Sequence, residues 1–240
     1  MPTDSHRIVA ADLHQVPRPF RCFAVRSEEP LHAFDARAPW GRVHVVHLDG
    51  LDAGSLARLA AEGLSRVTVA AVLDIEHAGT TLDELAAAAP AATDLLGDIA
   101  GALQRTGVLG NDPALYRSQV ATGLHYLVCR GAGFHNDVGR HWSRCLFWLL
   151  MLAAADVEFV MPHAGVRIGL APGDLLLFDP TLAHGLCRPA DRGQAVAASF
   201  DSGEHGHQVF LTGELQLDDV QWAALGAPWL PCLLYTSRCV

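Results

Sequence analysis

The feature that most limits how this chain can fold is a series of short apolar runs after residue 116, separated by turn-forming residues. Ala-Pro-Gly-Asp at residues 171–174 is the strongest turn signal, because proline and glycine favour tight turns. Repeated short strands at this spacing predict an antiparallel barrel or sandwich. The predicted strands are residues 119–129, 144–152, 157–161, 166–170, 175–178, 181–187 and 195–200.

The first half of the chain shows helical periodicity instead. Residues 51–64 repeat apolar side chains at the spacing of an amphipathic helix. Thr81 and Glu84 have the spacing of a capping box, which predicts the start of a second helix over residues 81–106. Pro90 should interrupt that helix, because proline removes a backbone donor.

The change of pattern divides the chain. Residues 43–48 and 67–73 are rich in valine and predict two strands in the first half. We expect residues 1–115 to form a helical and mixed layer packed on a β core of residues 116–231, which makes the fold class α+β. Residues 232–240 resemble the translation of a transposon-end sequencing adapter and are expected to be a non-native tail.

The composition of the chain favours some classes of function over others. The 240 residues fit one domain of moderate size, and half of them are hydrophobic. A formal charge of -9 gives no support to a nucleic-acid surface, so a small-molecule or peptide substrate is the simpler expectation. The longest apolar run, residues 145–155, is too short to span a bilayer, and no signal-peptide pattern opens the sequence. Six scattered cysteines without a Cys-x-x-Cys pair favour free thiols and a cytoplasmic protein.

A candidate metal site lies among the predicted strands. His135 and Asp137 are two residues apart, and alternate side chains of a strand point to the same face. Both can therefore reach one ion, with His184 supplied by a neighbouring strand. Two histidines and one carboxylate form a facial triad, which holds Fe(II) and leaves positions open for substrate and O2.

These residues are part of a longer sequence pattern that is similar to that of a known superfamily. Gly-Phe-His-Asn-Asp at residues 133–137, the Pro-Gly-Asp turn with its apolar strand at residues 171–179, and His184-Gly185 resemble the Fe(II)/2-oxoglutarate-dependent dioxygenase superfamily. The resemblance covers residues 119–200. It implies a double-stranded β-helix, or jelly-roll, core, here with flanking N-terminal helices.

The resemblance also implies an activity. His135, Asp137 and His184 would hold Fe(II), with 2-oxoglutarate as cosubstrate and ascorbate as an optional reductant. Oxidation of a substrate C–H bond would be coupled to conversion of 2-oxoglutarate and O2 into succinate and CO2. The sequence does not name the substrate.

The cosubstrate would need a cation for its distal carboxylate. In many members an arginine on the last core strand follows the distal histidine, but that place falls at Gln194 in this sequence. The candidates are Arg192, which lies nearest that place and is slightly favoured, and Arg188, which would share a face with His184 by strand alternation. Arg144 is a third option.

Tyr126 is a further candidate. It stands nine residues before His135, where related enzymes often have a tyrosine that lines the cosubstrate or substrate pocket. A tyrosine packed in the core is the alternative.

Other interpretations of the same residues stay open. The His-x-Asp sequence could be a turn in which a side chain binds backbone amides, and His184 could be a core histidine. The same ligands could hold zinc. A non-catalytic, cupin-like module that binds a metal or small ligand is the main alternative to an enzyme.

Overall fold

The protein is described from a computed structural model. The described residues are 6–10, 42–69, 74–92, 94–135, 137, 145–154, 157–161, 166–180, 182–189 and 206–225. In these residues no helix is both long enough and apolar enough to cross a membrane.

Eleven strands and five helices are found in the described residues. The strands are β1 (His6–Ala10), β2 (Arg42–His47), β3 (Ile75–Gly79), β4 (His125–Cys129), β5 (Ala132–His135), β6 (Cys145–Ala153), β7 (Glu158–Met161), β8 (Val166–Gly169), β9 (Asp174–Phe178), β10 (His184–Cys187) and β11 (Gln208–Gln216). The helices are α1 (Ala53–Arg66), α2 (Leu82–Ala88), α3 (Leu95–Gln104), α4 (Pro113–Val120) and α5 (Asp219–Ala224).

The strands form two antiparallel sheets. The large sheet has the order β1-β2-β9-β6-β11-β4-β3, and the small sheet has the order β5-β10-β7-β8. From β4 to β11 the chain crosses between the two sheets at every connection except the β7–β8 hairpin, so that β4, β6, β9 and β11 lie in the large sheet and the other four strands lie in the small one. Eight antiparallel strands connected across two sheets in this way form a jelly roll. The predicted double-stranded β-helix is therefore confirmed.

Alternation along the strands separates two cores. In β6, Leu149 and Met151 point between the sheets, where they meet Phe159 of the small sheet. Trp148 and Leu150 of the same strand point to the outer face of the large sheet. Because both faces of β6 are buried, its sequence is a continuous apolar run rather than an alternating one.

The helical layer covers that outer face. Leu59 of α1, Ile99 of α3 and Tyr116 of α4 belong to the same buried cluster as Trp148. The expected helices at residues 51–64 and 81–106 are thus found outside the β core, the second one divided into α2 and α3. Thr81 and Glu84 form the predicted capping box at the start of α2.

The structure corrects several sequence-based boundaries. Residues 119–124 are not in a strand: α4, which Asp112 caps, extends to Val120, and the next strand begins only at His125. The first half of the chain is also more than a covering layer, since β2 and β3 extend the large sheet on either side of the jelly roll. The predicted strand at residues 195–200 lies outside the described residues, as do most of residues 67–73 and the tail at 232–240.

Gly213 should not tolerate a side chain. It lies opposite Trp148 in the β11–β6 ladder, and a Cβ built there would lie 2.7 Å from Trp148 Cζ2. The fully buried indole has no room to shift, so we expect Gly213→Ala to lower the free energy of unfolding by about 1–3 kcal/mol. Gly101→Ala, in the interior of α3 with open space around its Cβ, should instead stabilise by about 0.5–1 kcal/mol. Urea unfolding of both variants tests this contrast, and equal effects would contradict it.

Candidate metal centre

The candidate ligands lie where two strands of the small sheet meet. His135 is the last residue of β5, His184 is the first residue of β10, and the two are cross-strand partners. Asp137 follows two residues after His135 and is held by its main chain, whose N–H donates to the carbonyl oxygen of Pro180 at 2.9 Å. The pairing of β5 with β10 thus brings together residues that are 47 to 49 positions apart in the sequence.

The three side chains converge. One ligand atom from each of His135, Asp137 and His184 lies within 4.8 Å of the others. His184 Nε2 is 3.7 Å from Asp137 Oδ2, and the two imidazole centroids are 4.4 Å apart. Adjacent ligands on one ion at about 2.1 Å would be roughly 3 Å apart, so a small closure brings these atoms to coordination distance.

Hydrogen bonds fix which imidazole nitrogens face the centre. His135 Nδ1 lies 2.7 Å from the carbonyl oxygen of Gly133, and His184 Nδ1 lies 2.8 Å from that of Leu182. A carbonyl oxygen can only accept, so each Nδ1 carries the proton and donates it. In the neutral ring Nε2 then keeps its lone pair, which is the form that binds metals. Backbone carbonyls are common partners of the second ring nitrogen in metal sites.

Burial keeps His184 in that neutral form. Removal from water lowers its pKa well below the usual range, and the neighbouring His135 lowers it further, whereas Asp137 acts in the opposite direction. A neutral imidazole at ordinary pH does not have to lose a proton before it binds a metal. The donor set of two imidazoles and a carboxylate therefore fits a divalent ion such as Fe(II).

Aromatic rings border the centre on the inner side of the sandwich. The ring of Phe178, the last residue of β9, packs edge-on against His184 with centroids 4.9 Å apart. Phe159 of β7 contacts both, at 4.8 Å from Phe178 and 6.0 Å from His184. These apolar rings exclude water from one side of the imidazole.

Cys145 is a neighbour that the sequence did not single out. It begins β6, is 1% exposed, and lies near enough to Asp137 and Asp179 for their charges to act on it. Burial raises the pKa of the thiol above its usual range, and Glu214, Asp179 and Asp137 add to that effect. The thiol therefore stays protonated, and a thiolate ligand from this residue is not expected.

Tyr126 packs in the outer core and not beside the candidate ligands, which matches the alternative interpretation of a tyrosine packed in the core. Its ring points to the outer face of the large sheet, in the cluster that contains α1, whereas His184 packs against rings of the inner cluster. Gly63 of α1 lies directly on the ring, and the guanidinium of Arg66 is 5.7 Å from its centroid. Burial raises the pKa of Tyr126 to about 12. A strand buried on both faces gives no sequence signal for which layer a given residue meets.

Of the predicted arginines, only Arg188 can be placed. It follows the last residue of β10 and is half-buried. His184 and Leu186 point inward on this strand, and continued alternation for one residue gives Arg188 the same face. Four residues of extended chain place its Cα about 13 Å from that of His184. Arg192 and Arg144 lie outside the described residues.

The chain was compared with family models, with curated protein sequences and with solved structures, and only the solved structures gave matches. No family model and no curated protein sequence matches the chain. The solved structures that resemble it include a viral collagen prolyl hydroxylase from Paramecium Bursaria Chlorella virus-1 in a 2OG complex (TM-score 0.42, 11% identity, 72% of this chain and 94% of that one). A Pseudomonas putida prolyl-4-hydroxylase is similar at TM-score 0.40 and 15% identity, over 77% of this chain and 97% of its own.

A third similar structure is HygX from Streptomyces hygroscopicus with nickel and 2-oxoglutarate bound (TM-score 0.40, 13% identity, 79% of this chain and 87% of that one). The fold is assigned from the strand order of this chain and not from these TM-scores and sequence identities. Fold and site together define a jelly-roll protein with a candidate two-histidine, one-carboxylate metal centre at the edge of its small sheet.

Proposed function

We propose that this chain is an Fe(II)- and 2-oxoglutarate-dependent oxygenase that hydroxylates or otherwise oxidises a C–H bond of a small-molecule or peptide substrate. The observation that carries the proposal is the convergence of His135, Asp137 and His184 within 4.8 Å, at the place where β5 and β10 of the jelly roll pair. Three protein ligands leave coordination positions open, which suits O2 chemistry better than a closed structural metal site.

Each ligand has a defined task in this proposal. His135 and His184 offer Nε2 because their Nδ1–H groups are held by backbone carbonyls, and Asp137 offers a carboxylate whose main chain is tied to Pro180. The bound iron would supply the oxidation, in which 2-oxoglutarate and O2 yield succinate, CO2 and an oxidised substrate. Phe178 and Phe159 keep water from the inner side of His184.

Arg188 is our candidate for holding the distal carboxylate of 2-oxoglutarate. Arg188 is the candidate arginine that lies within the described residues, and it is half-buried. By strand alternation its side chain shares the inward face of His184 and Leu186. A carboxylate taken into the sandwich needs such a partner, because an unpaired buried charge is costly. Arg192 stays a candidate for the same role.

One observation favours a second candidate function, a non-catalytic, cupin-like metal- or ligand-binding module. The last jelly-roll strand, β11, has the sequence Gln-Val-Phe-Leu-Thr-Gly-Glu-Leu-Gln and carries no basic residue. The side chains of the described strands that meet between the sheets are mainly apolar, among them Phe210 and Met151. A module without a cation for the cosubstrate would bind metal but consume no 2-oxoglutarate.

Succinate formation distinguishes the two functions. The purified protein is incubated with Fe(II), ascorbate, 2-oxoglutarate and air, and succinate is measured with and without candidate substrates. We expect slow substrate-independent succinate formation that requires Fe(II), since such enzymes can turn over the cosubstrate alone. Metal binding without any consumption of 2-oxoglutarate, with every substrate tried, would favour the module.

Replacement of Arg188 tests the cosubstrate contact. We expect Arg188→Ala to raise the KM for 2-oxoglutarate at least about 30-fold, because loss of a buried charged partner costs about 2 kcal/mol or more. Fe(II) affinity should not change. Arg167→Ala is the matched control, since Arg167 lies on β8 of the same small sheet in an ion pair with Glu158. An unchanged KM in Arg188→Ala would move the role to Arg192.

A further inference from the structure

We infer that Phe178, Pro180 and Leu182, at the end of β9 and shortly after it, act together as one positioning element for both halves of the metal centre. The inference rests on the metal site of the proposed function but does not depend on the cosubstrate or on turnover. Its basis is that one short segment contacts two ligands that come from different parts of the chain.

The first contact holds the carboxylate ligand. Asp137 lies beyond the end of β5, so no strand ladder fixes its backbone. Its N–H donates instead to the carbonyl oxygen of Pro180 at 2.9 Å. Pro180 is buried and its ring restricts the backbone of the turn, so the acceptor is held in a narrow range of positions.

The second and third contacts hold the imidazole of His184. The carbonyl oxygen of Leu182 accepts from Nδ1 at 2.8 Å, and the edge of the Phe178 ring packs on the imidazole. Leu182 is itself fixed, because its N–H donates to the carbonyl oxygen of Asp179 and its side chain is buried in the inner core. Leu182 thus determines which nitrogen of His184 faces the centre, and Phe178 determines the plane of its ring. Both residues are close in sequence to Pro180, which holds Asp137.

His135 differs from the other two ligands. Its Nδ1 donates to the carbonyl oxygen of Gly133 within its own strand, and its backbone pairs with His184 in the ladder. A change at Phe178, Pro180 or Leu182 should therefore displace Asp137 or the imidazole ring of His184 relative to His135. Metal affinity depends on all three donors being in place before the ion arrives, and outer contacts of this kind typically contribute 10–100-fold to affinity.

Two substitutions in the segment test the inference, each with a matched control. Phe178→Leu removes the ring that packs on His184, and Phe210→Leu makes the same change at a fully buried position of the inner core on β11. Pro180→Ala loosens the turn but keeps its carbonyl group. Pro172→Ala does the same in the exposed turn at the other end of β9.

The readouts are the Kd for Mn(II), measured by calorimetry on the apoprotein, and the tautomer of His184, measured by imidazole 15N NMR without metal. We expect Phe178→Leu and Pro180→Ala to raise the Kd about 10–100-fold. We also expect the wild-type Nδ1–H tautomer of His184 to become a mixture in these two variants. Both controls should keep the wild-type Kd and tautomer, even where their thermal stability falls.

The outcomes separate this inference from the proposed function. If Phe178→Leu and Pro180→Ala weaken Mn(II) binding no more than their controls do, the positioning role is wrong and the proposed function is unaffected. If the wild-type protein binds no Mn(II) or Fe(II), the proposed function fails. In that case the tautomer decides the positioning role, which is contradicted if the two variants show the same populations of His184 tautomers as the wild-type protein.

Discussion

Replacing Asp137 with alanine is expected to abolish stoichiometric Fe(II) binding. Asp137 supplies the one carboxylate of the triad, and the two remaining imidazoles carry no charge to compensate a dication. Loss of a direct ligand should exceed the 10–100-fold effect of an outer contact, so we expect affinity to fall by more than about 100-fold. Anaerobic titration of the apoprotein with Fe(II) measures the change, and succinate formation should disappear with it.

Asp83→Ala is the control for that experiment. Asp83 is an exposed carboxylate in the first turn of α2, so its removal changes the net charge equally but leaves the site intact. Far-UV circular dichroism confirms that both variants are folded. One Fe(II) per chain bound by Asp137→Ala at wild-type affinity would discard the site.

Replacing Trp148 with alanine should give the largest loss of stability. The indole is fully buried on the outer face of the large sheet, in the cluster that joins β6 to the helical layer. Truncation of so large a side chain leaves a cavity that the packed neighbours cannot fill, and we expect a loss of about 3–5 kcal/mol. Denaturant unfolding of the apoprotein measures this loss.

Trp222→Ala is the matched control, because Trp222 of α5 is only partly buried against the same cluster. Its effect should be clearly smaller. An equally small effect of Trp148→Ala would mean that the helical layer and the large sheet do not share one core. We expect both variants to unfold in one transition, since that core connects the two layers.

Part of the candidate site was predictable because the relation between two of its ligands is local. His135 and Asp137 are separated by a fixed two-residue spacing, and the Pro-Gly-Asp turn marks the strand that precedes His184. Two of the three ligands are therefore related by the chain itself. The pairing of His184 with His135 is not local, and in the sequence only the resemblance to the dioxygenase superfamily indicated it.

The last jelly-roll strand could not be found in the same way. β11 begins 24 residues after His184 and contains Gly213, a residue that usually weakens a strand. Here the glycine is required, because the indole of Trp148 occupies the space where a side chain would be. The reason for this glycine is a contact with a residue 65 positions earlier, which no local pattern contains.

Two other differences from the sequence-based expectations have different causes, one local and one tertiary. Asp112 and Pro113 form a helix start, so α4 occupies residues 119 and 120, with which the predicted strand began. Tyr126 lies in a strand with both faces buried, and only the position of α1 decides which core it joins. In both cases the tertiary context or a capping residue determined the outcome.

Binding of 2-oxoglutarate to the protein with and without Fe(II), measured by calorimetry in the absence of O2, tests the central claim most directly. If the triad holds iron and the cosubstrate binds to that iron, 2-oxoglutarate should bind the Fe(II)-loaded wild-type protein at one site per chain. It should bind neither the metal-free protein nor Asp137→Ala, because the two binding events are linked. Equal binding with and without metal, or none to the Fe(II)-loaded protein, would contradict the account.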